Sequence, residues 1–139
     1  MEEVQIEQIR FELTWRIRHE VMYPDLPFDS IKLENDAEGI HFGLYAGEWL
    51  TAVVSLFNVN NIYQFRKFAT IVRAQGKGYG KLLLQYIIDY TRQAGGEKLW
   101  CNARVSAVGF YEKYGFVQTE HRSVNNDIDF VIMELQLNN

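Results

Sequence analysis

Residues 75–81 read Gln-Gly-Lys-Gly-Tyr-Gly-Lys, and the apolar run Leu82, Leu83, Leu84 follows them. Glycine weakens regular structure, so three glycines at the head of a good helix need a chemical reason. The first turn of a helix carries N–H groups with no internal partner, and the aligned peptide dipoles add positive potential there. Glycines let a ligand approach that backbone closely. The segment Gln75, Gly76, Lys77, Gly78, Tyr79, Gly80, Lys81 therefore reads as an anion cradle suited to phosphate or pyrophosphate. Two familiar phosphate loops fail on particular residues. A P-loop ending at Gly80-Lys81 would need glycine at Gln75 and a hydroxyl residue at Leu82. A G-x-G-x-x-G fingerprint meets Lys81 when counted from Gly76, and Leu83 when counted from Gly78.

The elements around the loop must position it. Ile62 to Thr70 (IYQFRKFAT) reads as the strand entering it. The helix leaving it carries Tyr79, Leu83, Tyr86, Ile87 and Tyr90 on one stripe and stops at Gly95-Gly96. LWCNARV (99–105) predicts the next strand. SAVGFYEKYG (106–115) predicts a short helix with Ser106 as N-cap and Gly115 as its end. Upstream, a strand is expected over 2–8. A helix follows it on Leu13, Ile17 and Val21, which Pro24 stops. Residues 23–39 form a loop, and 40–46 and 49–59 a hairpin. Downstream, strands 116–122 and 129–137 are joined by SVNNDI. The order β-α-β-β-β-loop-α-β-α-β-β, with a βαβ-like centre, predicts a mixed α/β (α+β) fold over a single domain, 1–139.

Composition narrows the function classes. The chain has 139 residues, 47% hydrophobic, with a net charge of −4. That charge argues against nucleic acid as a partner. No apolar run approaches the roughly 20 residues that span a membrane. The acidic, alternating N-terminus does not read as a signal peptide. Cys101 is the single cysteine, so no internal disulfide is expected, and no metal site is expected from residue spacing. A cytoplasmic location fits best.

The pattern Gln75-x-x-Gly78-x-Gly80 resembles the acyl-CoA pyrophosphate loop of the GCN5-related N-acetyltransferase (GNAT) family. A second, independent match lies downstream: Ala107, Tyr111 and the pair Gly115-Phe116 fit that family's Ala-x3-Tyr-x3-Gly-Phe helix. The resemblance is close over about 62–118 and looser over 1–61, and is to small bacterial members of undefined acceptor. It implies a mostly antiparallel sheet of about six to seven strands with a parallel central pair and about four helices. It also implies transfer of an acyl group, acetyl above all, from coenzyme A to an amine of a small molecule or peptide. Homodimers are common in the family, and a homodimer is permitted here.

The resemblance distributes roles residue by residue. Phe68, Ala69 and Thr70 would offer backbone groups to the pantetheine arm from a locally distorted strand, and an N–H of Phe68 or Ala69 would donate to the tetrahedral oxyanion. The loop 75–81 would hold the diphosphate, and Tyr111 would be the general acid for the leaving thiolate. Arg104 stands where many members have Asn, so that contact does not carry over; Asn102, two residues earlier, or Arg104 itself is the candidate replacement beside the cofactor. Arg66, which alternates with Phe68 and Thr70, and His41 on its strand are candidate acceptor ligands. Read from the residues alone, Tyr111 also fits a core aromatic, Arg66 a solvent-facing cation and His41 a structural histidine. No general base is legible: Glu112 and Glu120 read as solvated, and His19 and His121 have no evident partner. A water chain can do that work. Cys101 alternates with Leu99 and Ala103 and reads as a small buried hydrophobe. The acidic stretch Asp25, Asp29, Glu34, Asp36, Glu38 suits a cationic amine or, more simply, solvent. Two other readings stand beside the enzyme: a non-catalytic acyl-CoA sensor of the same fold, and a phosphate-binding protein that does not use coenzyme A.

Overall fold

The computed structural model describes residues 2–137. Seven strands and three α-helices follow in the order β1 (Val4–Ile9), α1 (Glu12–Ile17), β2 (Ile40–Ala46), β3 (Trp49–Val59), β4 (Ile62–Thr70), α2 (Tyr79–Gln93), β5 (Lys98–Arg104), α3 (Val108–Glu112), β6 (Val117–Asn125) and β7 (Ile128–Gln136). The strands form one mixed sheet in the order β1-β2-β3-β4-β5-β7-β6. The β1–β2, β2–β3, β5–β7 and β6–β7 pairs are antiparallel, and β4–β5 is parallel. Three α-helices stand where about four were expected, because the first helix passes at Arg18 into a π-helical turn through Met22 and the 23–39 connection holds only 3-10 turns.

Turn chemistry sets the strand ends. Asn60 and Asn61 both take positive φ (52° and 67°), as do Asn126 and Asp127 (52° and 63°), the signature of two-residue hairpin turns. The last hairpin is therefore tighter than a six-residue SVNNDI loop: Asn125 pairs with Ile128 directly. Ser106 is not a helix cap. It lies in a 3-10 turn over Val105–Ala107, and Ala107 occupies the N-cap of α3 without a side-chain bond.

The chain divides into two compact units, residues 2–57 with 66–87, and residues 58–65 with 88–137. In the first, β2 is almost wholly buried, and Phe42, Leu44, Val53 and Val54 fill the core with Leu83, Leu84 and Ile87 of α2. Each such side chain contributes about 1.5–3 kcal/mol of hydrophobic stabilisation. Tyr86, placed on the buried stripe by its spacing, is 39% exposed and touches Phe42 with one edge. In the second unit, Leu99, Cys101 and Ala103 of β5 are buried with Val131, Met133 and Phe116. The α2 helix ends there with Gly96 N–H donating to Thr91 O (2.9 Å) and Gly95 N–H to Arg92 O (3.1 Å). This is the C-cap anticipated at Gly95-Gly96.

Candidate active site

Strand β4 delivers the chain to the loop, and it is not regular. Lys67 stands in mid-strand at φ 56°, a left-handed conformation that re-aims the residues on either side, as in a β-bulge. Its ammonium donates to the Tyr23 hydroxyl at 2.7 Å and lies 4.6 Å from that ring's centroid. The expected alternation of Arg66 with Phe68 and Thr70 is thus interrupted at Lys67. Phe68 and Thr70 do converge: a Cβ built on Gly80 would lie 3.6 Å from Phe68 Cζ and 3.8 Å from Thr70 Oγ1. Arg66 lies on the far side of the distorted residue.

A 3-10 turn over Val72–Ala74 then leads to Gln75, whose side-chain amide donates back to Thr70 O at 2.9 Å. That bond braces the loop against the end of β4. Gly76 and Gly78 take φ of +80° and +88°, and no atom lies within 4 Å of a Cβ built on either. Leu82 N–H bonds Gly78 O at 3.2 Å, which begins the helix. The amides of Tyr79, Gly80 and Lys81 precede any carbonyl they could reach within the helix. The Tyr79 side chain is buried. Lys77 and Lys81 are exposed. Beside the loop is a cavity of about 230 Å³ whose lining includes Glu2, Trp49, Thr51, Arg73, Lys77 and Tyr79.

In the second unit, Tyr111 of α3 stands in an aromatic cluster, its ring centroid 5.8 Å from Phe65, 5.2 Å from Phe110 and 5.8 Å from Phe116. Burial, with a smaller contribution from Cys101, pushes its phenol well above the usual tyrosine range. Burial also pushes the Cys101 thiol up, to about 12. Asn102 does not join them. Adjacent residues of a strand point to opposite faces, and Asn102 lies exposed on the face away from Cys101. It lines a second cavity of about 230 Å³ with Gln64, Trp100, Ile132, His121 and Arg122.

His41 is a brace rather than an open ligand. It is 3% exposed, with Nδ1 2.7 Å from Ser55 Oγ and Nε2 2.8 Å from Asp36 O. Arg18, fully buried, forks onto both Asp36 oxygens at 2.9 Å and onto Ser55 Oγ at 2.8 Å. The Trp15 indole and Leu33 N–H each donate to Asp36 at 3.0 Å. Burial pushes the Asp36 carboxyl up, but the bonds from Arg18, Leu33 and Trp15 outweigh it and hold it below the usual range. Burial lowers His41 despite the Asp36 carbonyl beside it. The acidic stretch offers less to a cationic acceptor than its composition suggests. Asp36 is neutralised inside, and Asp29 pairs with Lys32 at 2.8 Å.

Comparison with known proteins decides the family. The acetyltransferase (GNAT) domain family matches residues 16–137. The chain belongs to the GNAT acetyltransferase family. It is an acyl-CoA-dependent N-acetyltransferase. It is 27% identical over 122 residues to the uncharacterized N-acetyltransferase YitI of Bacillus subtilis, covering 81% of this chain and 82% of the relative. It spans 63% and 62% of the length of two further relatives. Its fold is that of the ribosomal-protein-S18-alanine N-acetyltransferase of Escherichia coli (TM-score 0.82, 20% identity, 97% and 94% of the two chains). It is also that of a Bacillus subtilis acetyltransferase solved with CoA (TM-score 0.75, 18% identity, 99% of each chain).

Three residues of this GNAT chain escaped the reading of the sequence. Lys67 looked like any strand lysine, and only its backbone angle and Tyr23 contact single it out. Arg73 and Arg122 sat outside every motif. A hint for Arg122 lay in the polar run Thr119, Glu120, His121, Arg122, which breaks strand alternation. In the structure the β6–β7 register shifts between Gln118 and Arg122.

Proposed function

We propose that the chain transfers an acetyl group from acetyl-CoA to a primary amine of a small molecule or peptide, by direct attack of the amine on the thioester. The whole chain acts as a single acyltransferase domain in this reading. The loop before α2 carries it: Gly76 and Gly78 hold positive φ with open space before them, in front of the first-turn amides of a fifteen-residue helix. A diphosphate suits that combination of free N–H groups and dipole. The segment Gln75 to Lys81 would hold it. When bound, acetyl-CoA supplies the activated carbonyl that the amine attacks.

This chain's own groups do the rest. The distortion at Lys67 supports a role for Phe68, Ala69 and Thr70 as backbone partners of the pantetheine arm, because a residue out of the strand region breaks the ladder locally. A backbone N–H there can donate to the oxygen on which charge develops, an effect worth about 2.7–4 kcal/mol at a preorganised donor. Tyr111 holds a proton at Oη for the departing sulfur. Burial keeps the Tyr111 phenol protonated, so the proton is in place when the sulfur departs.

Thermal unfolding with CoA, ATP and NAD, followed by thiol release from acetyl-CoA against an amine panel, tests the reading. A ligand at 100 times its Kd stabilises by about 2.7 kcal/mol, so CoA is expected to raise Tm while ATP and NAD leave it. Thiol release is expected only with an amine present. Binding of CoA without turnover of any amine would favour the sensor, and no stabilisation by CoA would overturn the reading.

A further inference from the structure

The cavity in the second unit is built by an irregularity in β6. Between Gln118 and Arg122 the register against β7 shifts. Thr119 Oγ1 spans the irregularity, donating to Ile132 O at 2.9 Å and accepting from His121 N–H at 3.1 Å. The bulged residues re-aim side chains, as such insertions do, and His121 and Arg122 line the cavity as a result. Opposite them stand Trp100 and Asn102 of β5.

The chemistry of this lining is specific. Trp100 and Ile132 supply an apolar wall. Arg122 is oriented by one bond, Nη2 to Gln118 Oε1 at 3.0 Å, and among the described residues it has no carboxylate within ion-pair distance. Its remaining donors form the planar fork that matches a carboxylate. Arg104 follows Trp100 and Asn102 on the same side of β5 and adds positive potential. Two acids are near. Glu134, beside Trp100 in the β5–β7 ladder, is drawn to Lys98 at 3.2 Å. Asp129 lines a separate cavity that shares Arg122.

Position ties the cavity to the reaction. The β4–β5 ladder ends at the pair Gln64↔Trp100, and both residues line the cavity. The next residue of each strand lies on the other side with Tyr111: Phe65 is in ring contact with it, and Cys101 raises its pKa. The cavity and Tyr111 thus flank the same end of the ladder from opposite faces.

We propose that this cavity binds the acceptor, and that the acceptor is an amine that also carries a carboxylate, of amino-acid size, with Arg122 on the carboxylate and Trp100 along the carbon body. At about 230 Å³ it is smaller than the roughly 300–1,000 Å³ of drug-sized sites. The proposal rests on the acetyltransferase reading above and names the acceptor class for it.

The test has two readouts. Thiol release from acetyl-CoA is measured with α-, β- and ω-amino acids, each matched to its carboxamide. At least one carboxylate is expected to exceed its carboxamide in kcat/KM by about tenfold, the ratio that a single charge-assisted contact supports. Arg122→Gln is expected to erase that preference through KM, while Arg122→Lys retains part of it and both keep the wild-type Tm. Separately, the Trp100 indole N–H and His121 ring resonances are followed while the same amino acids are added to the protein with and without CoA. Carboxylates, and not carboxamides, are expected to shift them. Equal use of carboxamides, a preference unchanged in Arg122→Gln, or resonances that ignore every carboxylate would overturn the proposal. Failure of CoA to bind would instead sink the acetyltransferase reading, and the resonance experiment without CoA would still judge the cavity.

Discussion

Lys67 holds a left-handed backbone in the middle of β4 while its ammonium bonds the Tyr23 hydroxyl at 2.7 Å. A non-glycine residue in that conformation costs about 1–2 kcal/mol, and a side-chain hydrogen bond returns about 0.5–1.5 kcal/mol. The tether therefore offsets much of the strain it accompanies, and it does so where β4 is expected to meet the cosubstrate.

Replacing Lys67 separates the two effects. Lys67→Ala keeps the strain and loses the tether. Lys67→Gly loses both, because glycine enters positive φ freely. Chemical denaturation is expected to rank Lys67→Gly above Lys67→Ala by about 1 kcal/mol, with Lys67→Gly close to wild type because it loses strain and tether together. Tyr23→Phe, which keeps the ring, is expected to cost about 1 kcal/mol. Equal stability of the glycine and alanine variants would remove the argument for strain.

Tyr111→Phe keeps the ring contacts with Phe65, Phe110 and Phe116 and removes only the proton. Steady-state kinetics are expected to show kcat lower by about 10²-fold, with CoA affinity by calorimetry unchanged. Because burial raises the phenol above the ordinary tyrosine value of 10.0, this group is expected to cause no alkaline decline in wild-type kcat up to that pH. Unchanged turnover in the phenylalanine variant ends the assignment.

The glycines of the loop differ in what they tolerate. Gly78 stands at φ +88°, whereas Gly80 is outside the positive-φ region and a Cβ there meets only ordinary contacts. Gly78→Ala is expected to distort the loop at a cost of about 1–2 kcal/mol and to weaken CoA correspondingly. Gly80→Ala leaves the unliganded fold intact, so any loss of CoA affinity it causes reports how closely the ligand approaches. Calorimetry on both variants checks this, and wild-type affinity in Gly78→Ala would contradict the cradle.

The Arg18–Asp36–Ser55–His41 network links stability to pH. Both titratable groups have folded pKa values below their unfolded ones, which lie at 6.5 for His41 and 3.8 for Asp36. The unfolded chain therefore takes up protons first as pH falls. Stability held above pH 6.5 is expected to drop as His41 protonates in the unfolded state, and to drop again below pH 3.8 through Asp36. Thermal melts from pH 8 to 5 check the first step, and His41→Gln is expected to flatten it. Arg18→Met, which strands a buried carboxylate, is expected to cost about 3–5 kcal/mol. A His41→Gln slope as steep as wild type would place the proton uptake elsewhere.

By itself the sequence determined the elements with strong local signals. Strands β2, β3 and β4 fall on the expected residues because each is an apolar run bounded by turn residues. The glycine loop and the Ala107–Phe116 segment were legible because glycine and tyrosine recur there at fixed spacing, and together they carried the family. What local pattern cannot encode is which side chains meet across long separations. His41 read either as a structural histidine or as an acceptor ligand on its strand. Only the fold brings Arg18, Asp36 and Ser55 around it, because a buried charge must find partners wherever the chain supplies them. Asn102 read as a candidate neighbour of the cofactor, and the fold sets it on the face opposite Cys101, in a cavity with Trp100 and Arg122. Lys67 and the β6 irregularity break the periodicity on which strand reading depends, so pattern alone passed over them. They are decided by tertiary contacts, Tyr23 for one and the Thr119–Ile132 bond for the other, which hold the backbone where no local preference would take it.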